Sequence, residues 1–151
     1  MGATQQALLM VSGAVANVGG NNALNARFDT TGTTASTSFV NVVSPSGGAA
    51  VTTSITKATG TSGVLVCASI GAAVGATETL VLGVNDGTTD WTLGFFRANT
   101  TSDGRVFGTR VLTGLSAGAY TFTLRFRSLA GGTIGTGSTD SLFLFTMEVE
   151  V

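Results

Sequence analysis

Residues 118–128 read Gly-Ala-Tyr-Thr-Phe-Thr-Leu-Arg-Phe-Arg-Ser, and that alternation constrains the fold more than any other stretch of the chain. A strand turns successive side chains to opposite faces. Tyr120, Phe122, Leu124 and Phe126 therefore share one face, and Thr121, Thr123, Arg125 and Arg127 share the other. One face is core and one is wet, at a period of two that no helix satisfies.

The same rhythm runs through the rest of the sequence. Short apolar or alternating runs are interrupted about every ten residues by Gly, Asn, Asp and Thr clusters, as in a β-sandwich or barrel. Helix formers are scarce and β-branched residues frequent, which favours strands. The spacing predicts about ten strands, over 5–17, 23–30, 37–43, 49–56, 63–71, 78–85, 90–97, 105–112, 118–128 and 141–151. The expected fold class is all-β, an antiparallel β-sandwich of about ten strands, with residues 1–151 forming a single domain; that it is jelly-roll-like is what the resemblance given below implies. A domain of this size buries enough surface to hold a core without disulfides or metals.

The interruptions have identifiable chemistry. Asn85-Asp86-Gly87 is the best hairpin signal, because Asp-Gly suits a type I′ turn, and Asp103-Gly104 is a second. Val18-Gly19-Gly20-Asn21-Asn22 suits a tight reversal, and Pro45 marks a loop because it cannot donate to a ladder. The Gly-rich stretch 130–137 is expected to form an exposed loop before the last strand.

Only 10% of the residues are charged, against roughly 25% in an average soluble domain. Mean hydropathy is +0.43, yet no apolar run approaches the roughly 18 residues of a membrane helix. A surface this poor in charge is expected to be covered by copies of the chain or by a larger assembly. The formal net charge is -1 and the six arginines are dispersed along the chain. Binding to a phosphate backbone needs clustered Lys and Arg, so no nucleic acid partner is expected. The single cysteine, Cys67, lies in an apolar run and reads as a small core hydrophobe. The N-terminal residues have no basic region, so Ala7–Val11 does not read as a signal peptide.

The two terminal segments are apolar on both stripes. In 141–151, Phe143, Phe145, Met147, Val149 and Val151 oppose Leu142 and Leu144, while near the start Ala7, Leu9 and Val11 oppose Leu8 and Met10. An antiparallel strand with a solvated face carries polar residues on that face. Either the sandwich covers both stripes internally, or one meets a neighbouring subunit. The low charge favours the neighbour, with Leu8, Met10, Leu142 and Leu144 as the interface residues.

No reaction centre emerges. The chain has no histidine, which removes the commonest general base and zinc ligand. The acids sit mostly at strand ends and turns, where Asp is expected structurally. Asn85–Asp90 offers oxygen ligands but lacks EF-hand spacing and a closing Glu, so a hairpin is the better reading. The glycines of 131–137 are followed by no Gly-Lys-Ser/Thr and are not a phosphate loop. Trp91 alternates with Leu93 and Phe95 and reads as core. Tyr120, after Leu115-Ser116-Ala117-Gly118-Ala119, resembles the tyrosine corner of β-sandwiches, whose hydroxyl bonds back to the backbone. No catalytic residue, cofactor or metal is expected, and the protein is not expected to be an enzyme.

Leu80-Val81-Leu82-Gly83-Val84-Asn85-Asp86-Gly87-Thr88-Thr89, Leu115–Leu124 and the closing strand Leu142–Val151 resemble the small jelly-roll and β-sandwich virion proteins of tailed phages. Gly118-Ala119-Tyr120-Thr121-Phe122 is similar to the Gly-x-Tyr-x-Phe element of C1q- and TNF-like trimers. The resemblance implies a jelly roll in threefold clusters, serving as a capsid decoration (cement) subunit. The expected partners are copies of itself, the major capsid protein or other virion proteins. The expected location is the virion, assembled in the host cytoplasm, with no membrane partner. Two alternatives are a receptor- or glycan-binding head of a tail fibre or spike, using loops around 98–104 and 130–138, and the major shell protein of a small virus.

Overall fold

The computed structural model describes residues 22–27, 33–43, 49–75, 77–97, 100, 102–135 and 141–151. The described strands are β1 (Asn22–Arg27), β2 (Thr33–Thr34), β3 (Val40–Asn41), β4 (Thr52–Lys57), β5 (Gly63–Val74), β6 (Thr79–Asn85), β7 (Asp90–Arg97), β8 (Ser102–Leu112), β9 (Gly118–Ser128), β10 (Ile134–Gly135) and β11 (Ser141–Val149). They form two antiparallel sheets. In the first, β5 is the central strand, with β11 and then β1 on one side and β8 on the other; β10 continues alongside β5 beyond β11 and carries β2. In the second the order is β3-β9-β6-β7, with β4 also paired to β9.

Successive strands cross between the sheets: β4 lies in the second, β5 in the first, β6 and β7 in the second, β8 in the first and β9 in the second. This is an antiparallel sandwich of jelly-roll-like form, one of the two all-β forms that the strand rhythm allows and the one that the resemblance implies. The core lies between the sheets. Val64, Val66, Ala68, Ile70, Ala72 and Val74 of β5 face Leu80, Leu82 and Val84 of β6 and Phe122, Leu124 and Phe126 of β9. Full burial of such a side chain contributes about 1.5–3 kcal/mol, so this two-layer packing supplies the main drive to fold. Strand β9 follows its expected parity, with Phe122, Leu124 and Phe126 buried and Arg125 and Arg127 turned outward.

Three expectations are corrected. Asp103-Gly104 is not a turn but lies inside β8, opposite Ala73 and Ala72. A Cβ on Gly104 would stand 2.4 Å from the Phe96 ring, so this glycine makes room for an aromatic ring crossing from the other sheet. Residues 130–137 are not wholly an exposed loop: Ile134 and Gly135 form β10, and Ile134 is 1% exposed in the core. The strand expected over 5–17 lies outside the described residues. The third correction concerns the faces of β5 and β11 and defines the site.

Candidate assembly face

Cross-strand partners in a sheet share a face, so register decides which stripe of each strand looks outward. In the first sheet Leu144 pairs with Ala68 and Thr146 with Val66. Ala68 and Val66 are fully buried core residues. Leu142 and Leu144 therefore point into the sandwich, where they are 2% and 0% exposed. They are core residues and do not form an interface. Leu8 and Met10, the other two residues assigned to it, lie outside the described residues.

The outward stripe of β11 is the other one. Phe143 pairs with Ser69, Phe145 with Cys67, Met147 with Leu65 and Val149 with Gly63. Across β5, Leu65 pairs with Val111, Cys67 with Thr109 and Ser69 with Phe107. These partners assemble an apolar outer face on three adjacent strands. Phe107 is 60% exposed, Val111 41% and Val151 70%. Leu65, Cys67, Phe143 and Val149 are half-buried. Phe145 and Met147 are buried, though they face away from the core. The rings of Phe143 and Phe145 stack with centroids 6.2 Å apart and planes 10° apart. At the upper end of the face, a Cβ on Gly63 would meet Val111 Cγ1 at 2.7 Å and Val151 Cγ1 at 2.9 Å. The two valines thus flank the bare backbone of Gly63.

Cys67 belongs to this face rather than to the core. Its pairing with Thr109 and Phe145 turns it outward, and its Sγ lies 3.2 Å from the Thr109 hydroxyl. The expectation failed because the run Gly63–Ile70 is apolar at both parities and hides the direction of each side chain.

The outer face of the second sheet is different in kind. Thr52, Ser54 and Thr56 of β4 and Thr121 of β9 are exposed, and the Ser54 and Thr121 hydroxyls are 3.0 Å apart. Arg125 pairs with Asp90 at 2.7 Å and donates to the Phe39 carbonyl. Arg127 stacks over the Phe39 ring at 5.3 Å. Phe95, 69% exposed, stands on β7 at the margin of this sheet.

The other motifs resolve into structural roles. Asp86 organises the β6–β7 hairpin. Its carboxylate accepts from the Thr88 and Thr89 N–H groups, the Thr88 hydroxyl and Trp91 Nε1. Burial opposes its charge, but these bonds outweigh it and hold the carboxyl below its ordinary range. The Tyr120 hydroxyl donates to the Ser116 carbonyl at 3.1 Å, as a tyrosine corner does. Among the described residues, no group of three or more His, Cys, Asp or Glu is placed to hold a metal. Among the described residues, no helix is long and apolar enough to cross a membrane.

Sequence reasoning missed Glu78. This side chain is 6% exposed. Its carboxylate accepts from the N–H groups of Thr79 at 2.8 Å, Ala130 at 3.1 Å and Gly132 at 2.7 Å. The Thr79 bond leads the forces that hold its carboxyl down at about 2 against the opposing effect of burial. It clips the β5–β6 turn to the loop after β9. A single Glu beside threonines carries no sequence signal for this, because two of its three backbone donors, Ala130 and Gly132, lie more than fifty positions away.

No family model matches the chain, and no curated protein matches it by sequence. Among solved structures it is similar to the Eiger TNF of S. frugiperda, with a TM-score of 0.49 and 15% identity, covering 87% of this chain and 93% of that one. It is also similar to dimeric latent PorU of Porphyromonas gingivalis, with a TM-score of 0.40 and 13% identity, covering 91% of this chain. The chain spans 14% of the length of that PorU chain. Both likenesses are too distant to bear on the site.

Proposed function

We propose that the protein is a non-catalytic structural subunit that works as a homo-oligomer, and that it decorates a virion shell as a trimeric capsid cement protein. One observation carries the oligomer: the outer face of the first sheet displays Phe107, Val111 and Val151 over half-buried Leu65 and Phe143, on a chain only 10% charged. Contiguous exposed apolar patches mark interaction sites. A stable interface buries about 800 Å² per partner, and a three-stranded sheet face is a suitable platform for one. A cement subunit needs no reaction chemistry. It needs a rigid scaffold, a surface for its copies and a surface for the major capsid protein.

The experiment is light scattering on the purified protein at micromolar concentration, together with counting copies on intact particles. A stable multiple of 15.1 kDa and hundreds of copies per particle support the reading. A 15.1 kDa monomer overturns the oligomer. A handful of copies with binding on a glycan array points to a receptor-binding tip instead.

A further inference from the structure

We propose that Glu148 and Lys57 form an acid-sensitive brace for the apolar outer face, so that acid separates the copies before it unfolds the chain. The proposal rests on the homo-oligomer reading and adds its regulation.

Glu148 sits near the end of β11, between Met147 and Val149 of the outward stripe, but itself points inward opposite the buried Val64. Its carboxylate accepts from the Ala58 N–H at 2.8 Å, the Thr59 N–H at 3.2 Å and the Ser62 hydroxyl. These groups belong to the connection from β4 to β5, so the carboxylate ties the first sheet to the end of a strand in the second. Lys57, the only lysine of the chain, ends β4 and is 1% exposed. Its amine donates to the Thr59 carbonyl. The connection is thus gripped through its N–H groups by an anion and through a carbonyl by a cation.

What the brace holds is the entry to β5. The connection runs from Ser62 into Gly63, the residue flanked by Val111 and Val151 on the outer face. A shift of residues 58–62 moves Gly63, and with it the seat of both valines. Glu148 also fixes the path of β11 between Met147 and Val149. The groups around its carboxylate are Lys57 from β4, the neutral Ala58, Thr59 and Ser62 from the connection and Val64 from β5; the next acid in the chain, Glu150, follows beyond the end of the strand.

The sign follows from this surrounding. Burial opposes the Glu148 charge, but the Ser62, Ala58 and Thr59 hydrogen bonds and the nearby Lys57 charge outweigh it, and the carboxyl lies below its ordinary 4.5. A carboxyl lowered in the folded state contributes stability above its unfolded value and loses it as pH falls through the folded one. The brace is therefore whole at neutral pH and opens under acid. Glu78, the clip at the opposite end of β5, is held down at about 2, so it gives up its charge only in strong acid.

The test follows assembly mass by light scattering and sheet content by far-UV circular dichroism from pH 7 to pH 3, for the wild type, Glu148→Gln and Glu78→Gln. Wild type should lose mass only at a pH under the ordinary carboxyl range, because the Glu148 carboxyl is held below it, and should do so with its sheet signal intact. Glu148→Gln should associate about tenfold more weakly at pH 7, as when a charge-assisted set of bonds becomes neutral, and its association should no longer respond to acid. Glu78→Gln should keep the wild-type profile of dissociation. Should Glu148→Gln fail to fold, Ser62→Ala removes one donor and should shift the profile in the same direction by less. An assembled wild type whose Glu148→Gln form has the same affinity and profile overturns the brace and leaves the oligomer standing. Dissociation that coincides with loss of sheet signal overturns it too. A monomeric wild type at pH 7 overturns the oligomer and the brace together.

Discussion

The outer faces of the two sheets are built from the same strand geometry and carry opposite chemistry. β9 turns Thr121, Thr123, Arg125 and Arg127 outward, whereas β11 turns out Phe143, Phe145, Met147 and Val149. Their inner stripes both feed the core, Phe122, Leu124 and Phe126 from β9 and Leu142 and Leu144 from β11. The core demands apolar residues of each sheet equally and explains only the inner stripes. Phe145 and Met147 are already buried within the chain, but the exposed Phe107, Val111 and Val151 are free of that demand, so they report what the face meets. Hydroxyls and paired charges on the second sheet suit water, and exposed Phe and Val on the first suit another protein surface.

The largest effect separates inner from outer on one strand. Leu144→Ala should destabilise the fold by about 2–5 kcal/mol, read from the denaturant midpoint, while folded molecules associate as before. A normal midpoint with weakened association would return Leu144 to the interface. Next, Phe107→Asp on the outer face should weaken association at least about tenfold and leave the unfolding midpoint nearly unchanged. In the same variant, thiol labelling of Cys67 should quicken at a concentration where wild type is protected. Glu78→Ala should cost about 1–3 kcal/mol at neutral pH, because it strands buried donors. In wild type that contribution is present above pH 4.5 and fades as pH falls toward 2, since the folded value lies below the unfolded one. A variant whose stability matches wild type at both pH 7 and pH 2.5 would remove the clip. The smallest effect is expected from Thr121→Lys on the wetted sheet, within about 0.5 kcal/mol for stability and with no change in association. A loss of assembly there would erase the contrast between the faces.

The fold was legible wherever one stripe of a strand was polar. β9 followed its sequence pattern residue by residue, because placing Arg125 and Arg127 inward would bury two charges. The extent of β7, 90–97, agrees with its expectation for a related reason: a turn signal opens it. The site was legible only in part. That the closing strand is apolar on both sides could be read directly, but which side faces out could not, since Leu142/Leu144 and Phe143/Phe145 are equally good core residues. The choice is made by pairing with β5, whose own two stripes are both apolar. Non-local register carries no trace in a local window, and the same is true of Glu78 and Glu148, most of whose partners lie on distant segments. Short strands fared worst: Ile134–Gly135 has two residues and hides in a glycine-rich stretch.

Where the sandwich closes at β7 and β8, a Cβ on Gly94 would lie 2.6 Å from the Phe107 carbonyl oxygen, and one on Gly108 would lie 2.5 Å from the Leu93 carbonyl carbon. Two bare backbones thus slide past each other at the corner, leaving no gap for even a methyl group. This corner is a hinge pin that tolerates no added bulk. An alanine at either glycine would wedge the layers apart beside Phe107, so a change far smaller than a charge would tilt the whole greasy plane against its neighbour.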